Sequence, residues 1–316
     1  MSIRAKKLLL FLGLTFVVNY LMVYIYLLLA GGDHDRYIGL LATAYMLVPM
    51  IMALIVQKGI FKQPIIKPLG ISFRINRWFF VAWLLPPVIA FATMGASLLL
   101  PGITFTPDLS GFFSALSGSM TPQQIDQVRQ SMASLPVHPV WMLLLQGLLA
   151  GTTINAILAF GEELGWRGFL QKELGFMGFW KSAALIGVIW GVWHAPLVLE
   201  GLNYPKHPQL GILIMTAWCL ALSPLFSYIR LKSGSVIAAS IFHGTLNAVP
   251  GLALLLISGG NELTVGITGL AGFIVIIIAD ILVFIFDRFI TRRPAGEILH
   301  ELVGPEAEEE HAAEPG

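Results

Sequence analysis

The chain has 316 residues, of which 56% are hydrophobic and only 12% are charged. Soluble domains carry roughly 25% charged residues, so this composition indicates a membrane protein. The formal net charge is +1, and the basic residues are too few and too dispersed for a nucleic-acid surface. The single cysteine, Cys219, excludes an internal disulfide and a cysteine-based metal site.

Hydropathy predicts eight apolar segments of about twenty residues, each long enough to cross a hydrocarbon core of roughly 30 Å as a helix. They are residues 8–30, 37–57, 79–100, 140–161, 182–200, 209–229, 234–257 and 265–286. The fifth and seventh are the weakest, because both contain histidine and glycine. The sequence therefore predicts an all-α, polytopic membrane helix bundle with about eight transmembrane helices.

The distribution of positive charge gives the predicted orientation of this bundle. With the N-terminus in the cytoplasm, 16 of the 19 basic residues fall in cytoplasmic segments. Only Arg36, Arg129 and Lys206 fall on the external side. Cytoplasmic loops of membrane proteins carry an excess of Lys and Arg, so this asymmetry predicts that both the N- and C-termini are cytoplasmic.

The spans divide the chain into four parts. These are residues 1–139, with three spans and an external loop at 101–139; a core at 140–257; a final span at 258–290; and an acidic cytoplasmic tail at 291–316. In the external loop, "TPQQIDQVRQSMASLP" predicts a short helix with Thr121 as N-cap and Pro122 at the first position. The tail has few apolar residues, so we expect it to be disordered.

The fourth span ends in "GEELGWRG", where charge appears abruptly after an apolar run. Glu163 and Arg167 are four residues apart and can pair on one face of a continuous helix. Glu162 is turned about 100° away on the helix, so Arg167 cannot pair with it in the same way. Glu162 therefore remains free for another role. This division depends on the helix continuing beyond Phe160. The alternative is a plain helix end with solvated charges.

Two later spans carry histidines. His194 lies in the fifth span, and His243 lies in the seventh with Asn247 four residues after it. Each histidine alone could be a neutral ring bonded to a neighbouring helix. With Glu162 they can share a cavity in or near the inner half of the membrane, provided that a helix bends, for example at Pro196. A carboxylate, two imidazoles and an amide can supply the base, the acid and the oxyanion donors of a hydrolysis.

Three motifs occur in order within roughly residues 140–255: "EELGWR", "WGVWHAP" with Trp190 four residues before His194, and "FHGTLNA". Together they resemble the CPBP family of intramembrane proteases, which includes CAAX prenyl endopeptidases and bacterial proteins of bacteriocin-processing or self-immunity type. The resemblance implies an endopeptidase of a bacterial plasma membrane. Its chamber would open to the cytoplasm, and its peptide or protein substrate would enter from the membrane or from the cytoplasmic side.

The resemblance also implies roles for single residues. Glu162 and His194 would activate the attacking water, and His243 and Asn247 would form the oxyanion hole. Glu163 and Arg167 would support Glu162. No cofactor is expected, and zinc held by Glu162, His194 and His243 is the alternative. The sequence lacks the stronger zinc motif of two histidines four apart with a glutamate beside the first.

Two other classes of function fit parts of the same pattern. A non-catalytic immunity or scaffold protein would keep the motif residues for folding, and Glu162→Gln would leave its phenotype intact. A proton-coupled transporter would use Glu162 and the histidines as a relay. The transporter is less favoured, because the sequence shows no internal repeat and no matching pair of broken spans.

Overall fold

The computed structural model describes residues 1–30, 38–117 and 120–304 of a largely helical chain. The α-helices are α1 (Ile3–Ala30), α2 (Ile38–Leu54), α3 (Arg77–Ser97), α4 (Ser110–Leu116), α5 (Pro122–Ala133), α6 (Pro139–Thr152), α7 (Ile154–Glu163), α8 (Gln171–Leu174), α9 (Phe179–Trp193), α10 (Ala195–Leu199), α11 (Pro208–Ser233), α12 (Val236–Ala248), α13 (Leu270–Phe289) and α14 (Ala295–Val303). Two short strands, β1 (Thr104–Phe105) and β2 (Ile257–Ser258), pair antiparallel. The predicted all-α polytopic bundle is confirmed.

The predicted spans differ in length once folded. In the part of the chain that the structure describes, five helices are long and apolar enough to cross a membrane: α1, α2 with the π-helical turn after it, α3, α11 and α13. The fourth span is a bent pair, in which α6 meets the helical run Ile154–Met177 at 49°. The fifth and seventh are shorter than predicted, because α9 has 15 residues and α12 has 13.

Proline chemistry explains why the predicted segments 182–200 and 234–257 are not continuous helices. Pro196 has no backbone N–H to donate to the carbonyl of Val192 four residues earlier, so α9 stops before it. The Tyr20 hydroxyl donates to that carbonyl instead, at 2.7 Å. The Tyr45 hydroxyl donates to the carbonyl of Trp193 at 2.6 Å. Pro250 follows α12 in the same way and starts a short 3₁₀ turn.

The beginning of the acidic tail was predicted wrongly. Disorder was expected from residue 291, but α14 is folded, and its Ala295 and Leu299 are buried against Phe179 and Tyr228. The segment "AGEILHELV" places apolar residues on one face of a helix, which gives this part of the tail a surface to bury. Residues 305–316 lie outside the described residues.

The external loop holds the short helix that its sequence predicts. Helix α5 begins at Pro122, and Thr121 forms a capping box with Gln124. In this arrangement the Thr121 side chain accepts from the Gln124 backbone N–H, while the Gln124 side chain accepts from the Thr121 backbone N–H. Strand β1 of the same loop pairs with β2, so the loop lies against the segment that precedes α13.

Close helix crossings bring the motif-bearing helices together. Gly244 of α12 lies on the backbone of α7, where a Cβ would stand 2.5 Å from the Ala156 nitrogen. Gly187 of α9 lies on α11, where a Cβ would stand 2.6 Å from Leu220 Cα. Small residues allow such backbone contact between membrane helices. Helices α7, α9, α11 and α12 therefore surround a common core.

Candidate active site

The helix that carries the two adjacent carboxylates continues past them. Helix α7 passes into a π-helical turn, Leu164–Leu170, and helical structure runs on to Met177. All seven residues of the π turn are buried. Turns of this kind inside helices are frequent at functional sites. The continuity on which the predicted division of the charges depends is confirmed.

Glu163 and Arg167 form a buried ion pair along this helix. Arg167 Nη1 lies 3.4 Å from Glu163 Oε1, and neither side chain is exposed. Arg167 Nη2 donates to the Ser223 hydroxyl at 3.3 Å. The guanidinium also lies 4.6 Å and 4.5 Å from the ring centroids of Trp190 and Phe226. Aromatic faces attract cations, so the arginine is held by charge, hydrogen bonding and stacking together.

Glu163 also holds His243. Its Oε1 lies 2.8 Å from His243 Nδ1. A carboxylate only accepts hydrogen bonds, so Nδ1 carries the proton and donates. The ring packs edge-on against Trp190 and Phe226, at centroid distances of 5.6 Å and 5.4 Å. These contacts fix the orientation of His243. The other ring nitrogen, Nε2, remains available to a molecule in the cavity that this residue lines.

Glu162 has a different partner. Its Oε2 accepts a hydrogen bond from Trp190 Nε1 at 2.7 Å, and the residue is only 2% exposed. Arg167 hydrogen-bonds to Glu163 and not to Glu162, as the four-residue spacing predicts. Glu162 is therefore a buried carboxylate that is oriented by an indole and faces the cavity.

His194 lies where α9 ends. Its Nδ1 is 2.8 Å from the carbonyl oxygen of Trp190, and the Cys219 sulfur is 3.8 Å from the same nitrogen. Because a carbonyl oxygen only accepts, Nδ1 carries a proton and Nε2 is the basic nitrogen of the neutral ring. The Trp193 ring packs edge-on against His194 at 4.8 Å. The break that Pro196 causes thus puts an oriented imidazole at the cavity.

Trp190 connects these groups, a role that its position in the sequence did not reveal. It donates to Glu162, accepts from His194 through its carbonyl, and packs against His243 and Arg167. The available signal was its position four residues before His194, which places both on one helix face. Its contacts with Glu162 and His243 come from other helices, so spacing alone could not reveal them.

One cavity brings the predicted residues together. Glu162, His194, His243 and Asn247 all line it, and its volume is about 290 Å³. That is close to the lower end of the roughly 300–1,000 Å³ found for small-ligand sites. Three of these residues are buried, whereas Asn247 is exposed at the rim. The other walls are mostly apolar and include Met46, Trp193, Leu197, Met215, Trp218, Leu246 and Ile267.

The three side chains of the zinc alternative do not form a compact group of donors in this structure. Within residues 1–30, 38–117 and 120–304, no three His, Cys, Asp or Glu side chains are grouped closely enough to hold a metal ion. Glu162, His194 and His243 are among the side chains to which this applies. One oxygen of Glu162 is also occupied by the Trp190 indole.

The fold and the site define a class of protein: a polytopic helical membrane protein that buries two carboxylates, an arginine and two histidines beside one cavity. Residues 136–249, which contain all six motif residues, match the family model of the Rce1-like type II CAAX prenyl endopeptidases. The CAAX prenyl protease 2 of Methanococcus maripaludis is 31% identical over 96 residues, which cover 27% of this chain and 34% of that protein. The match thus spans about a third of the relative's length. The resemblance seen in the three motifs is confirmed for this central segment, which is similar to the Rce1-like proteases.

Proposed function

We propose that the protein is an intramembrane endopeptidase in which Glu162 and His194 activate water against a peptide bond. The observation that supports this proposal is that two adjacent buried carboxylates have different partners. Glu163 is bound by Arg167 and His243, whereas Glu162 is bound by an uncharged indole and faces a cavity. Burying a carboxylate without a cationic hydrogen-bond partner costs free energy. Such a residue inside a membrane helix is therefore expected to have a function.

The charges of the cluster support a base role for Glu162. An ionised Glu162 and Glu163 balance a protonated Arg167 and a doubly protonated His243, which leaves the cluster neutral overall. In that state Glu162 can accept a proton, and His243 Nε2–H can donate to an oxyanion. Asn247 at the rim supplies a second donor through its side-chain amide. Preorganised donors aimed at a developing oxyanion are among the largest contributions to catalysis.

The proposed reaction is a two-step hydrolysis. A water molecule held by Glu162 and His194 Nε2 attacks the carbonyl carbon, the C–O bond forms, and its proton passes to Glu162. The resulting oxyanion is bound by His243 and Asn247. The C–N bond then breaks as the proton held by Glu162 passes to the departing nitrogen, which gives one carboxylic acid product and one amine product.

Glu163, Arg167 and Trp190 are positioning residues in this scheme. Glu163 orients His243, Arg167 neutralises Glu163, and the Trp190 indole fixes one oxygen of Glu162. The apolar cavity walls suit an apolar substrate side chain beside the scissile bond. The protein is a multi-pass membrane protein, and a bacterial plasma membrane as its location is part of the proposal. The name of the relative, CAAX prenyl protease 2, is a statement about that protein, and a prenyl group on the substrate is not part of this proposal.

Hydrolysis of a peptide library by the purified protein in detergent tests the proposal. We expect Glu162→Gln to lower the rate by about 10²–10⁴-fold, the usual contribution of general acid–base catalysis, while the protein still folds. The matched control is Glu200→Gln, because Glu200 is an exposed carboxylate that does not line the cavity. Hydrolysis by Glu162→Gln at the rate of the unmodified protein would overturn the enzyme proposal and favour the scaffold alternative.

The role of metal is tested in the same assay. Incubation with a chelator is expected to leave the rate unchanged, because the proposed steps use only side chains and water. Loss of hydrolysis on chelation, with recovery when zinc is added back, would refute the metal-free reaction. The effect of Glu162→Gln would still stand in that case.

A further inference from the structure

His194 packs against two indole rings, and a different hydrogen bond holds each of them. The Trp190 ring centroid is 5.5 Å from the His194 ring, and the Trp193 ring centroid is 4.8 Å from it. The Trp190 indole N–H is bound by Glu162 of the catalytic cluster. The Trp193 indole N–H donates to Asn19 Oδ1 at 2.8 Å, and Asn19 belongs to α1. The position of the second indole therefore depends on the first helix of the chain.

Asn19 is a fully buried amide that uses both of its polar atoms. Its Oδ1 accepts from Trp193 Nε1, and its Nδ2 donates to the backbone carbonyl of Tyr45 at 3.0 Å. These partners determine which side-chain atom is the oxygen, because an indole N–H only donates and a carbonyl only accepts. Hydrogen bonds from such side chains join helices in membrane proteins. Asn19 thus joins α1 both to α2 and to the end of α9.

Tyr45 of α2 holds Trp193 through two further contacts. Its hydroxyl donates to the Trp193 carbonyl at 2.6 Å, and its ring centroid is 4.5 Å from the Trp193 ring. Trp166 packs edge-on against the same indole at 5.7 Å. Tyr45 and Trp166 are fully buried, and Trp193 is almost fully buried. The ring of Trp193, its N–H and its carbonyl are therefore each held by a separate group.

The end of α9 depends on these contacts, because Pro196 interrupts the helix there. The proline cannot donate to the Val192 carbonyl, so a hydrogen bond of a continuous helix is missing at this point. Tyr20 of α1 donates to that carbonyl through an exposed bond, whereas the bonds to the Trp193 indole and carbonyl are buried. Water can replace an exposed bond, but a buried group that loses its partner stays unsatisfied. The buried bonds therefore determine where Trp193 and the next residue in the chain lie.

We propose that Asn19 and Tyr45 are positioning residues of the active site, which hold Trp193 and thereby keep the His194 ring in the orientation that activates water. This inference rests on the proposed endopeptidase function. Helices α1 and α2 lie outside residues 136–249, which match the family model, and they are then part of the catalytic apparatus. A misplacement of roughly 1 Å in a catalytic group can lower a rate by about 10²-fold. Loss of either positioning residue therefore acts on the chemical step.

Steady-state hydrolysis of one peptide by the purified protein in detergent tests this role. Asn19→Leu keeps a similar side-chain size and deletes both hydrogen bonds, and Tyr45→Phe keeps the ring and deletes the bond to the Trp193 carbonyl. Each substitution is expected to lower kcat by about 10- to 100-fold. KM should change little, because neither side chain lines the cavity.

The matched control is Thr15→Val, one helical turn before Asn19 on α1. Thr15 is also fully buried, and its hydroxyl has no hydrogen-bond partner in the described part of the chain. Valine has nearly the same shape, so this variant should keep the kcat of the unmodified protein. If Asn19→Leu does not accumulate, Tyr45→Phe decides the matter.

A double-mutant cycle separates positioning from a general loss of structure. Trp193→Phe removes the indole N–H through which Asn19 acts. Asn19→Leu should therefore lower kcat much less in the Trp193→Phe protein than in the unmodified protein, because residues that act through one contact are not additive. A merely structural role would lower kcat by the same factor in both proteins. Equal factors, or a raised KM with unchanged kcat, would overturn the inference.

Fluorine NMR follows Trp193 without any need for catalysis. In protein labelled with fluorinated tryptophan, the Trp193 resonance is the one that disappears in Trp193→Phe. This resonance is expected to shift in Asn19→Leu and to keep its position in Thr15→Val. A resonance that does not move in Asn19→Leu would refute the contact between Asn19 and the indole, and the inference with it.

These outcomes distinguish the inference from the proposed function. Loss of hydrolysis in Glu162→Gln together with full kcat in Asn19→Leu and Tyr45→Phe would overturn the inference and leave the endopeptidase standing. No hydrolysis by the unmodified protein would overturn the endopeptidase and, with it, the catalytic role of both positioning residues. The NMR measurement would in that case still decide whether Asn19 holds Trp193.

Discussion

Replacing Glu163 with alanine should destabilise the protein more than any loss of a surface ion pair. Glu163 Oε1 accepts from Arg167 at 3.4 Å and from His243 at 2.8 Å, and neither Glu163 nor Arg167 is exposed. The substitution leaves the guanidinium buried with one hydroxyl partner, Ser223, and two aromatic rings. Breaking a buried pair from one side typically costs about 3–5 kcal/mol, because the remaining charge is uncompensated.

The free energy of unfolding can be measured by titrating the protein in mixed micelles with a denaturing detergent and following helical circular dichroism. The matched control is Glu301→Ala, which removes the Arg293 pair at 2.6 Å, where both side chains are more than 60% exposed. That loss should cost less than about 1 kcal/mol. If Glu163→Ala were no more destabilising than Glu301→Ala, the buried pair would not be part of what holds the site together.

A second substitution tests whether the uncompensated charge of Arg167 causes the loss of stability in Glu163→Ala. Adding Arg167→Met to Glu163→Ala removes the buried cation and keeps much of the side-chain volume. The double variant should therefore lose less stability than the sum of the two single losses, by an interaction energy in the range of about 0.5–3 kcal/mol. A double variant whose loss equals the sum of the two single losses would contradict this explanation.

Three further outcomes follow from the same contacts. Trp190→Phe deletes the donor to Glu162 and should lower kcat by about tenfold or more with little change in KM. The control is Trp218→Phe, in the same cavity wall, which loses only a hydrogen bond to a backbone carbonyl. Equal kcat values for the two variants would refute the positioning role of Trp190. Gly191→Ala places a Cβ against the backbone of α11 and should lower the melting temperature, while Gly95→Ala meets open space and should not, as fluorescence-detected thermal unfolding in detergent would show. Ending the chain before α14 uncovers the apolar cluster beneath that helix and should lower the melting temperature relative to a chain that ends just after α14. Identical unfolding curves would mean that the packing of α14 contributes nothing to stability.

Much of the molecule follows from local patterns in the sequence. Runs of about twenty apolar residues predict membrane helices, because only internally hydrogen-bonded segments can cross the bilayer. Four-residue spacing predicts that Arg167 meets Glu163 and not Glu162, since such residues share a helix face. These are properties of single helices, so they can be deduced without knowing how the helices are arranged. The three motifs likewise indicated the family model that residues 136–249 match.

Contacts between helices could not be deduced in this way. The hydrogen bond from Trp190 to Glu162 joins residues 28 apart in sequence, and the one from His243 to Glu163 joins residues 80 apart. Hydropathy predicted continuous spans at 182–200 and 234–257, but hydroxyls from α1 and α2 cap the end of α9 after Pro196 removes a donor. The sequence by itself determined the membrane helices, the charge asymmetry and the paired and unpaired carboxylates. The tertiary structure decided which aromatic ring holds Glu162 and which side chains line one cavity with it, because both depend on how separate helices pack.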